Sequence, residues 1–405
     1  MAPELRPMAD GEQAAFARSA AIPFLDPGNP DGERHWTDHL EVGRAWLAVD
    51  GDRVVGNCCT LTRDVVVPDG AVEPFAAVSG IGVHPTHRRQ GLLGRMMAAM
   101  LDDARRRGEA FAMLWATESV IYGRLGFGAA VHTCDVRIDR RSAAFDGRSA
   151  VAPADVTIID AGEAAAVLPG LHAACRRRRA GEVDRNAAVW RDVWADPPGR
   201  RGGGSQVMFA VTDGGYCAYR AAPDPRRLVV RDLQAVDDLT EAALFAYLAG
   251  VDLVERIDLL SRPLDDPLRW RLADPRRLET TRVGDLLWLR VLDVPAALTG
   301  RAWPHAADLV LDVRAHGQVP ADDPAVGLWH LTTSAGAGAA CEPAPPGAAA
   351  DLVLGLADLG ALHMGGVAPS ALAAAGRMTE VKPGALARAD ALWPTVRQPG
   401  GSTTF

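Results

Sequence analysis

The most informative pattern of the chain lies in residues 78–127, which read VSGIGVHPTHRRQGLLGRMMAAMLDDARRRGEAFAMLWATESVIYGRLGF. An apolar run interrupted by Gly80 and Gly82 leads into a basic turn, and an amphipathic helix and a second apolar run follow. Glycine inside a strand often marks a bulge or the close approach of a ligand. We therefore predict that the first run forms a strand that bulges at these glycines and separates from the strand at residues 111–116.

The basic turn at residues 88–94 has the composition of an anion-binding site. Free amides at a helix N-terminus bind phosphate with the help of the helix dipole. Gly91 permits a close approach, and Arg88 and Arg89 add positive charge beside the ligand. The turn lacks the Gly-Lys-Ser/Thr of a P-loop and the G-x-G-x-x-G of a dinucleotide site. An opened strand beside such a turn suits an extended, amide-rich ligand such as pantetheine, so the combination points to an acyl-CoA.

The elements around this turn predict an α/β domain that ends near Asp146. The helix after the turn carries one apolar stripe, which predicts packing against a sheet. Upstream, two apolar runs at residues 45–61 flank Asp50-Gly51-Asp52, which is a strong hairpin signal. Further strands are predicted at residues 61–67 and 75–83, so a meander leads into the basic turn.

Composition and charge exclude several classes of function. The chain has 405 residues, a net charge of -8 and a mean hydropathy close to zero, so we expect two or three domains. An acidic chain disfavours nucleic acid as a partner and suits a cationic substrate. No apolar run is long enough to span a membrane, and the N-terminus lacks the pattern of an export signal. We therefore expect a cytoplasmic protein without a membrane span.

The cysteines predict thiols and no metal site. The six cysteines form no C-x-x-C pair and have no histidines at the spacing of metal ligands. We expect buried or reduced thiols, as is usual in a cytosol.

Residues 156–295 repeat the order of elements of the first domain. A hairpin is predicted around Asp213-Gly214-Gly215, followed by a strand at residues 228–236 and a helix at residues 240–250. Where the first domain has its basic turn, this half has Ala235-Val236-Asp237-Asp238, without glycine or arginine. Carboxylates at that position would repel a pyrophosphate. The sequence therefore predicts a duplicated domain that binds no CoA.

The composition changes to Ala, Gly, Pro and Leu after Pro295, which indicates a small third α+β domain. Its predicted elements are strands at residues 309–313, 328–333 and 351–354, a loop at residues 335–350, and helices at residues 356–362, 369–375 and 386–393. The polar tail from Gln398 to Phe405 is expected to be flexible, as most chain termini are.

Two motifs stand out: Ile81-Gly-Val-His-Pro-Thr-His-Arg-Arg-Gln-Gly-Leu-Leu and Glu118-x-x-Ile-Tyr-Gly-Arg-Leu-Gly-Phe-Gly. Together they resemble those of the Eis (enhanced intracellular survival) family of GNAT-superfamily N-acetyltransferases. Arg88 and Gly91 match the superfamily's acetyl-CoA turn, Q/R-x-x-G-x-G/A, whereas Leu93 stands where Gly or Ala is usual. The resemblance covers the whole chain. It implies two tandem GNAT-like domains, the second without the CoA motif, and a sterol-carrier-protein-like C-terminal domain, with boundaries at residues 1–147, 148–295 and 296–405.

The resemblance also implies roles for individual residues. Tyr122 would be the general acid that protonates the departing CoA thiolate; its reference pKa of about 10 is close enough to the value of about 8.5 for a thiol. From the residues alone, packing beside the Gly123–Gly126 turn is an equal alternative role for Tyr122. The α-carboxylate of Phe405 would be the general base. The residues implied to bind acetyl-CoA are Ile81, Gly82, Val83, Arg88, Arg89, Gln90, Gly91, Leu92, Leu93, Gly94, Thr117 and Glu118.

The segment at residues 21–41 is read as a loop between two helices and mixes aromatic with acidic side chains. From its composition it is either a solvated loop with one core tryptophan or the wall of a pocket for a polycation. The resemblance places Phe24, Asp26 and Trp36 around the amine, which favours the second interpretation.

The sequence thus predicts an acetyl-CoA-dependent N-acetyltransferase. The expected acceptor is a primary amine, in particular an aminoglycoside-like polyamine, and the expected mechanism is direct transfer within a ternary complex. One alternative acceptor is a lysine side chain or peptide. Another alternative is a non-catalytic protein that binds lipid or CoA through its third domain. The resemblance further implies a homohexamer.

Overall fold

The computed structural model describes residues 2–25, 30–223, 226–336 and 338–405. The chain forms two compact units: Met1–Ala130, Leu287–Thr395 and Phe405 make up the first, and Val131–Leu286 and Val396–Thr404 the second. Within the described ranges, we find no helix with the length and apolar character needed to cross a bilayer.

The first unit begins with a mixed sheet and the helices that pack on it. Its elements are β1 (Glu4–Pro7), α1 (Gln13–Ala21), α2 (Pro30–His39), β2 (Ala45–Asp50), β3 (Arg53–Val66), β4 (Val72–Val83), α3 (Leu92–Arg106), β5 (Phe111–Leu114) and α4 (Ser119–Gly123). Strands β1 to β4 pair antiparallel, and β5 runs parallel to β4. The predicted apolar stripe of α3, which includes Met96, Met97 and Met100, is buried in the core of this sheet.

The second unit repeats this topology, as the order of elements predicts. Its elements are most of β6 (Gly128–Asp139), β7 (Thr157–Ile159), α5 (Ala161–Cys175), α6 (Ala187–Ala195), β8 (Met208–Thr212), β9 (Gly215–Ala222), β10 (Arg227–Ala235), α7 (Asp238–Gly250), β11 (Arg256–Pro263) and α8 (Leu268–Arg271). The strand order is β6-β11-β10-β9-β8-β7. Only β10 and β11 are parallel to each other. The single parallel pair therefore follows three antiparallel strands in both halves, which is the pattern that a duplication leaves.

The remaining part of the first unit is a small α+β domain. Strand β12 (Glu279–Val291) ends antiparallel to β5, with Trp288 opposite Leu114. The elements that follow are α9 (Val294–Thr299), β13 (Ala307–Arg314), β14 (Gly327–Thr333), β15 (Ala339–Pro343), β16 (Leu352–Gly355), α10 (Leu356–His363), α11 (Pro369–Ala374), β17 (Met378–Glu380) and α12 (Ala385–Leu392). Their strands form a five-stranded sheet in the order β15-β14-β13-β16-β17. Its core is filled by buried side chains that include Leu309, Leu331 and Leu392.

Helix α10 packs backbone to backbone against strands β6 and β12. A Cβ atom on Gly128 would overlap the carbonyl oxygen of Ala357, and a Cβ atom on Gly360 would overlap that of Leu289. A glycine on β6 and a glycine on α10 are therefore needed for the helix to lie this close to the two strands.

Three local predictions are wrong. The segment at residues 21–41 is not a loop throughout, because α2 occupies Pro30–His39; this helix reads PDGERHWTDH and has too few apolar residues for a helical period to be visible. The loop predicted at residues 335–350 contains β15, a short alanine-containing strand that pairs with β14 at the sheet edge. The strands predicted before and after residue 61 are one long strand, β3.

The polar tail is not free in solution, which corrects the expectation of flexibility. Its residues 396–404 belong to the second unit. The amide of Gln398 donates to Asp265 at 3.0 Å, and the Arg397 guanidinium forms two hydrogen bonds with Asp238 at 3.0 and 2.7 Å. Composition suggested a mobile tail, but these partners lie more than a hundred residues away in the sequence.

All six cysteines are free thiols, as predicted. Five are buried and Cys341 is partly exposed. Burial raises the pKa of each thiol, so the thiolate form that reacts is disfavoured at neutral pH.

Candidate functional site

A bulge in β4 opens the sheet at the predicted glycines. Asn57 of β3 lies opposite Gly82 and Cys59 lies opposite Ser79, so β4 carries one more residue than β3 across this interval. Gly80 has a φ of +57°, in the left-handed region. The extra residue bends the strand, as bulges do.

The pairing of β4 with β5 stops before this bulge. The parallel ladder joins Ala76 to Ala112 and Ala77 to Met113. Strand β4 then continues to Val83, whereas β5 ends at Leu114. On the side that faces away from β3, the main chain of residues 81–83 therefore has no β5 partner. Such an unpaired strand end can hydrogen-bond to an extended ligand.

Aromatic side chains of the N-terminal helices cover the bulge. A Cβ atom on Gly80 would lie 2.8 Å from Phe16 and 2.9 Å from Trp36, and the rings of Phe16 and Trp36 lie 5.2 Å apart. The Asn57 amide donates to the carbonyl oxygen of Gly80 at 2.6 Å, and Ser19 donates to Asn57 at 2.7 Å. The conformation of the bulge is therefore stabilised both by aromatic packing on Gly80 and by a hydrogen bond from Asn57.

The basic turn is exposed and leads directly into α3. Residues 88–91 are all exposed. Arg89 and Gly91 have φ values of +63° and +75°, and Gly91 is the residue before the first turn of α3. Because the N-cap residue is Gly91, it has no side chain to cap this helix. Successive main-chain N–H groups in such a turn form a concave site for anions.

Tyr122 lies on α4 and belongs to the buried cluster against which Ile81 and Val83 pack. Its side chain is 8% exposed. Burial raises the pKa of Tyr122; the Thr117 side chain lowers it in part, and Glu118 raises it further. The phenol is thus fully protonated at neutral pH. The amides of Leu125 and Phe127 both donate to the Tyr122 carbonyl oxygen, at 3.0 and 3.1 Å, and close the turn after it.

Strand β12 and the third domain hold the turn that follows Tyr122, through contacts that the sequence did not predict. The Gln318 amide donates to the Arg124 carbonyl oxygen at 2.7 Å, and the Arg290 guanidinium donates to the carbonyl oxygen of Leu125. Asp323 accepts from Arg290 at 2.6 Å and from Arg105 at 2.8 Å. No local pattern marks these residues, because they come together only through the packing of the two domains.

Phe405 lies against β4, immediately before the bulge. Its ring meets the ring of Phe75 edge to face, with 5.6 Å between centroids. The hydroxyl group of Ser79 donates to the main-chain oxygen of Phe405 at 3.4 Å. The structure therefore brings the last residue to the strand that carries Ile81, Gly82 and Val83.

The three residues predicted to contact an amine differ in their surroundings. Trp36 packs on the bulge, as described above. Phe24 is 55% exposed, and its neighbour Pro23 lies over Gly82. Asp26 lies outside the described residues.

The second unit has a corresponding helix start with different chemistry. Asp237 caps α7 and accepts from the amides of Leu239 and Thr240 at 3.0 and 2.7 Å. Asp238 accepts from Arg178 at 2.5 Å. The amides that would bind a phosphate therefore already donate to the protein's own carboxylate. Its negative charge would also repel a pyrophosphate, as the sequence predicts.

Known protein families match three segments of the chain. Residues 4–130 and residues 181–291 each match a family described as an acetyltransferase (GNAT) domain. Residues 294–400 match the sterol carrier protein domain.

Several relatives match this chain over nearly its whole length. The N-acetyltransferase Eis of Mycobacterium tuberculosis is 31% identical over 92% of this chain and 92% of its own length. A Streptomyces griseus protein named as an uncharacterized N-acetyltransferase is 34% identical over 98% of this chain and 99% of its own. The crystal structure of Eis1 from Mycobacterium abscessus superposes with a TM-score of 0.87 and 29% identity, and covers 99% of this chain and 100% of that one.

Proposed function

Because the chain belongs to the Eis family of GNAT-superfamily N-acetyltransferases, we propose that it transfers the acetyl group of acetyl-CoA to a primary amine. The observation that carries this proposal is the end of the β4–β5 pairing next to the Gly80 bulge, since Ile81 and Val83 beyond it pack against the buried cluster that contains Tyr122. An extended thioester ligand in this opening has an unpaired strand end on one side and a protonated phenol near it.

Each part of acetyl-CoA has a proposed binding partner. The pantetheine arm pairs with the main chain of residues 81–83, and the pyrophosphate binds the amides and arginines of residues 88–94. Thr117 and Glu118 line the slot. The exposed turn with two left-handed residues and an uncapped α3 supports this arrangement.

The proposed reaction is a direct attack of the amine on the thioester. The amine nitrogen forms a bond to the carbonyl carbon, the carbon–sulfur bond breaks, and Tyr122 gives its proton to the departing thiolate. The surplus proton of the amine passes to the α-carboxylate of Phe405 or, through it, to water. Since a carboxylate with a pKa of about 3.5 is a weak base, its main contribution is to orient an amine that is already neutral.

The proposed acceptor is a molecule with several amino groups, such as an aminoglycoside, with a lysine side chain as the competitor. The net charge of -8 supports a cationic substrate. Phe24, Asp26 and Trp36 are the proposed contacts of the amine. From the family resemblance we also propose that the protein acts in the cytoplasm as a homohexamer.

The experiment that tests the function is a thiol-release screen with acetyl-CoA and a panel of aminoglycosides, linear polyamines and lysine peptides. With an active acceptor, Tyr122→Phe or removal of Phe405 is expected to lower kcat by about 10²- to 10⁴-fold, while CoA still binds in calorimetry. Near-normal turnover in both variants would refute the mechanism. Lipid that raises the melting temperature where acetyl-CoA does not would favour a binding protein instead.

A further inference from the structure

We infer that the cleft of the second GNAT-like half is a docking site for the C-terminal segment, and that Glu182 and Arg185 position the carboxylate of Phe405 through it. This inference rests on the proposed role of that carboxylate as the base. It gives a function to a domain that has lost the means of binding CoA.

The cleft lies where the strands of the second unit separate. Strands β10 and β11 pair only from Arg227 to Val230 and from Arg256 to Leu259. A bulge follows in β10, because Val230 and Asp232 lie opposite adjacent residues of β9. Beyond this point the ends of β10 and β11 line a cleft whose lining also includes residues 400–402 of the tail. In the first unit, the equivalent opening is the one proposed for pantetheine.

The main chain of the tail is fixed along its approach to this cleft. Arg179 donates to the carbonyl oxygen of Gln398 at 2.8 Å and to Asp265 at 2.6 Å. The Gly400 amide donates to the Ala180 carbonyl oxygen at 2.9 Å. The glycines of the tail therefore serve close packing: a Cβ atom on Gly401 would lie 2.9 Å from the carbonyl oxygen of Gly181.

Two charged side chains hold the residues that immediately precede the end of the chain. Glu182 accepts from the Ser402 amide at 3.1 Å and from the Thr403 hydroxyl at 2.9 Å. Arg185 donates to Thr403 at 2.9 Å and to Ser402 at 2.8 Å, and Gln234 donates to Ser402 at 2.9 Å. Thr403 is only 3% exposed.

The charges of this anchor are balanced inside the second unit. Arg185 pairs with Asp232 at 2.6 Å, and Tyr216 donates to the same carboxylate at 2.8 Å. Burial raises the pKa of Glu182, but the hydrogen bond and charge of His172 and the charge of Arg185 outweigh it and lower the pKa overall. Glu182 is therefore ionised and accepts hydrogen bonds at neutral pH. Charged acceptors make stronger hydrogen bonds than neutral ones.

The anchored residues lie next to the end of the chain, so they limit where the terminal carboxylate can lie. Only Thr404 separates the anchored Thr403 from Phe405, and consecutive Cα atoms are about 3.8 Å apart. The anchored Thr403 therefore restricts the position of the terminal carboxylate through a single intervening residue. A positioned group contributes to catalysis because it needs no search for its reactive orientation.

The test compares two substitutions at Thr403. Thr403→Val keeps the shape and removes the hydroxyl group, whereas Thr403→Ser keeps the hydroxyl group. We expect at least a tenfold loss of kcat with the valine variant, no change in the KM for acetyl-CoA, and near wild-type kcat with the serine variant. Glu182→Gln is expected to behave like the valine variant. Thr157→Val, at an exposed position of the same unit, is the matched control and should leave kcat unchanged.

A second readout does not depend on activity. A carboxypeptidase that prefers aromatic C-terminal residues should release Phe405 at least tenfold faster from Thr403→Val and Glu182→Gln than from the wild type or Thr403→Ser. If release and kcat are unchanged in both variants, the inference is wrong. If no variant, the wild type included, acetylates any amine, the proposed function fails, while the release rates still decide whether the tail is anchored here.

Discussion

Gly80 occupies a position where no other residue fits without strain. Its φ is +57°, and the space where a Cβ atom would lie is occupied by Phe16 and Trp36. The same glycine lies in the bulge next to which β4 and β5 separate. The opening of the sheet therefore depends on the left-handed conformation of Gly80.

Gly80→Ala should therefore destabilise the protein by about 2 kcal/mol, from left-handed strain and steric overlap, and should raise the KM for acetyl-CoA. Thermal unfolding and thiol-release kinetics measure the two effects. Gly170→Ala is the control, because Gly170 lies inside α5 with nothing within 4 Å of a Cβ atom; it should stabilise by up to about 1 kcal/mol. A Gly80→Ala variant with wild-type stability and KM would contradict this account.

The turn after Tyr122 illustrates how an element depends on partners that are distant in sequence. Its own residues form the turn, but Arg290 and residues of the third domain hold it in place. Asp323 is 7% exposed and balances the charge of Arg290, which is itself 3% exposed. Burial lowers the pKa of Arg290, and the charge of Asp323 opposes this shift.

Asp323→Asn should cost about 3 kcal/mol of stability, because it leaves a buried guanidinium without its counter-charge. Since Arg290 then holds the turn less firmly, we also expect a lower kcat with little change in the KM for the amine. The neighbouring Asp322 is exposed, so Asp322→Asn serves as the control and should change neither quantity. Chemical denaturation and steady-state kinetics measure both. Equal stability of the two variants would show that the ion pair has no such role.

The sequence predicts an element well when the residues that determine it are close together in the chain, and poorly when they are far apart. The bulge, the basic turn and α3 follow from glycines and an apolar stripe within one stretch, and they were predicted correctly. The pairing of Asp323 with Arg290 and of Thr403 with Glu182 joins residues that no sequence pattern relates. Helix α2 was missed for a third reason: its polar sequence has almost no apolar period, so tertiary packing rather than pattern determines it.

At the scale of the whole molecule, a column of rings connects the terminal residue with the third domain. Phe405 contacts Phe75, Phe75 stacks on Phe111 at 6.3 Å, and Phe111 contacts His363 at 5.1 Å. His363 is fully buried, and neither of its ring nitrogens hydrogen-bonds to a described protein atom. Burial, together with the charge of Arg301, lowers the pKa of His363 to about 3.

This buried histidine should make the protein sensitive to acid. An unfolded histidine has a pKa of about 6.5, so between about pH 6.5 and about pH 3 the unfolded chain binds a proton that the folded protein excludes. Stability therefore falls as the pH falls through this window, by up to about 1.4 kcal/mol per pH unit. His363→Phe should flatten the dependence. Denaturation midpoints measured from pH 7 to pH 4 test this. If the midpoint changed with pH equally in the wild type and in His363→Phe, the role of this histidine would be disproved.

The glycine pair at positions 128 and 360 bears on how such a three-domain chain can evolve. Gly128 meets the backbone of α10 at Ala357 and Gly360 meets the backbone of β12 at Leu289, so a mutation at either position cannot be compensated by repacking side chains. A sterol-carrier-like domain from another protein would dock here in the same way only if it already had glycine at the equivalent of position 360. Helix α10 and the strands it packs on therefore constrain each other's sequence through main-chain contacts.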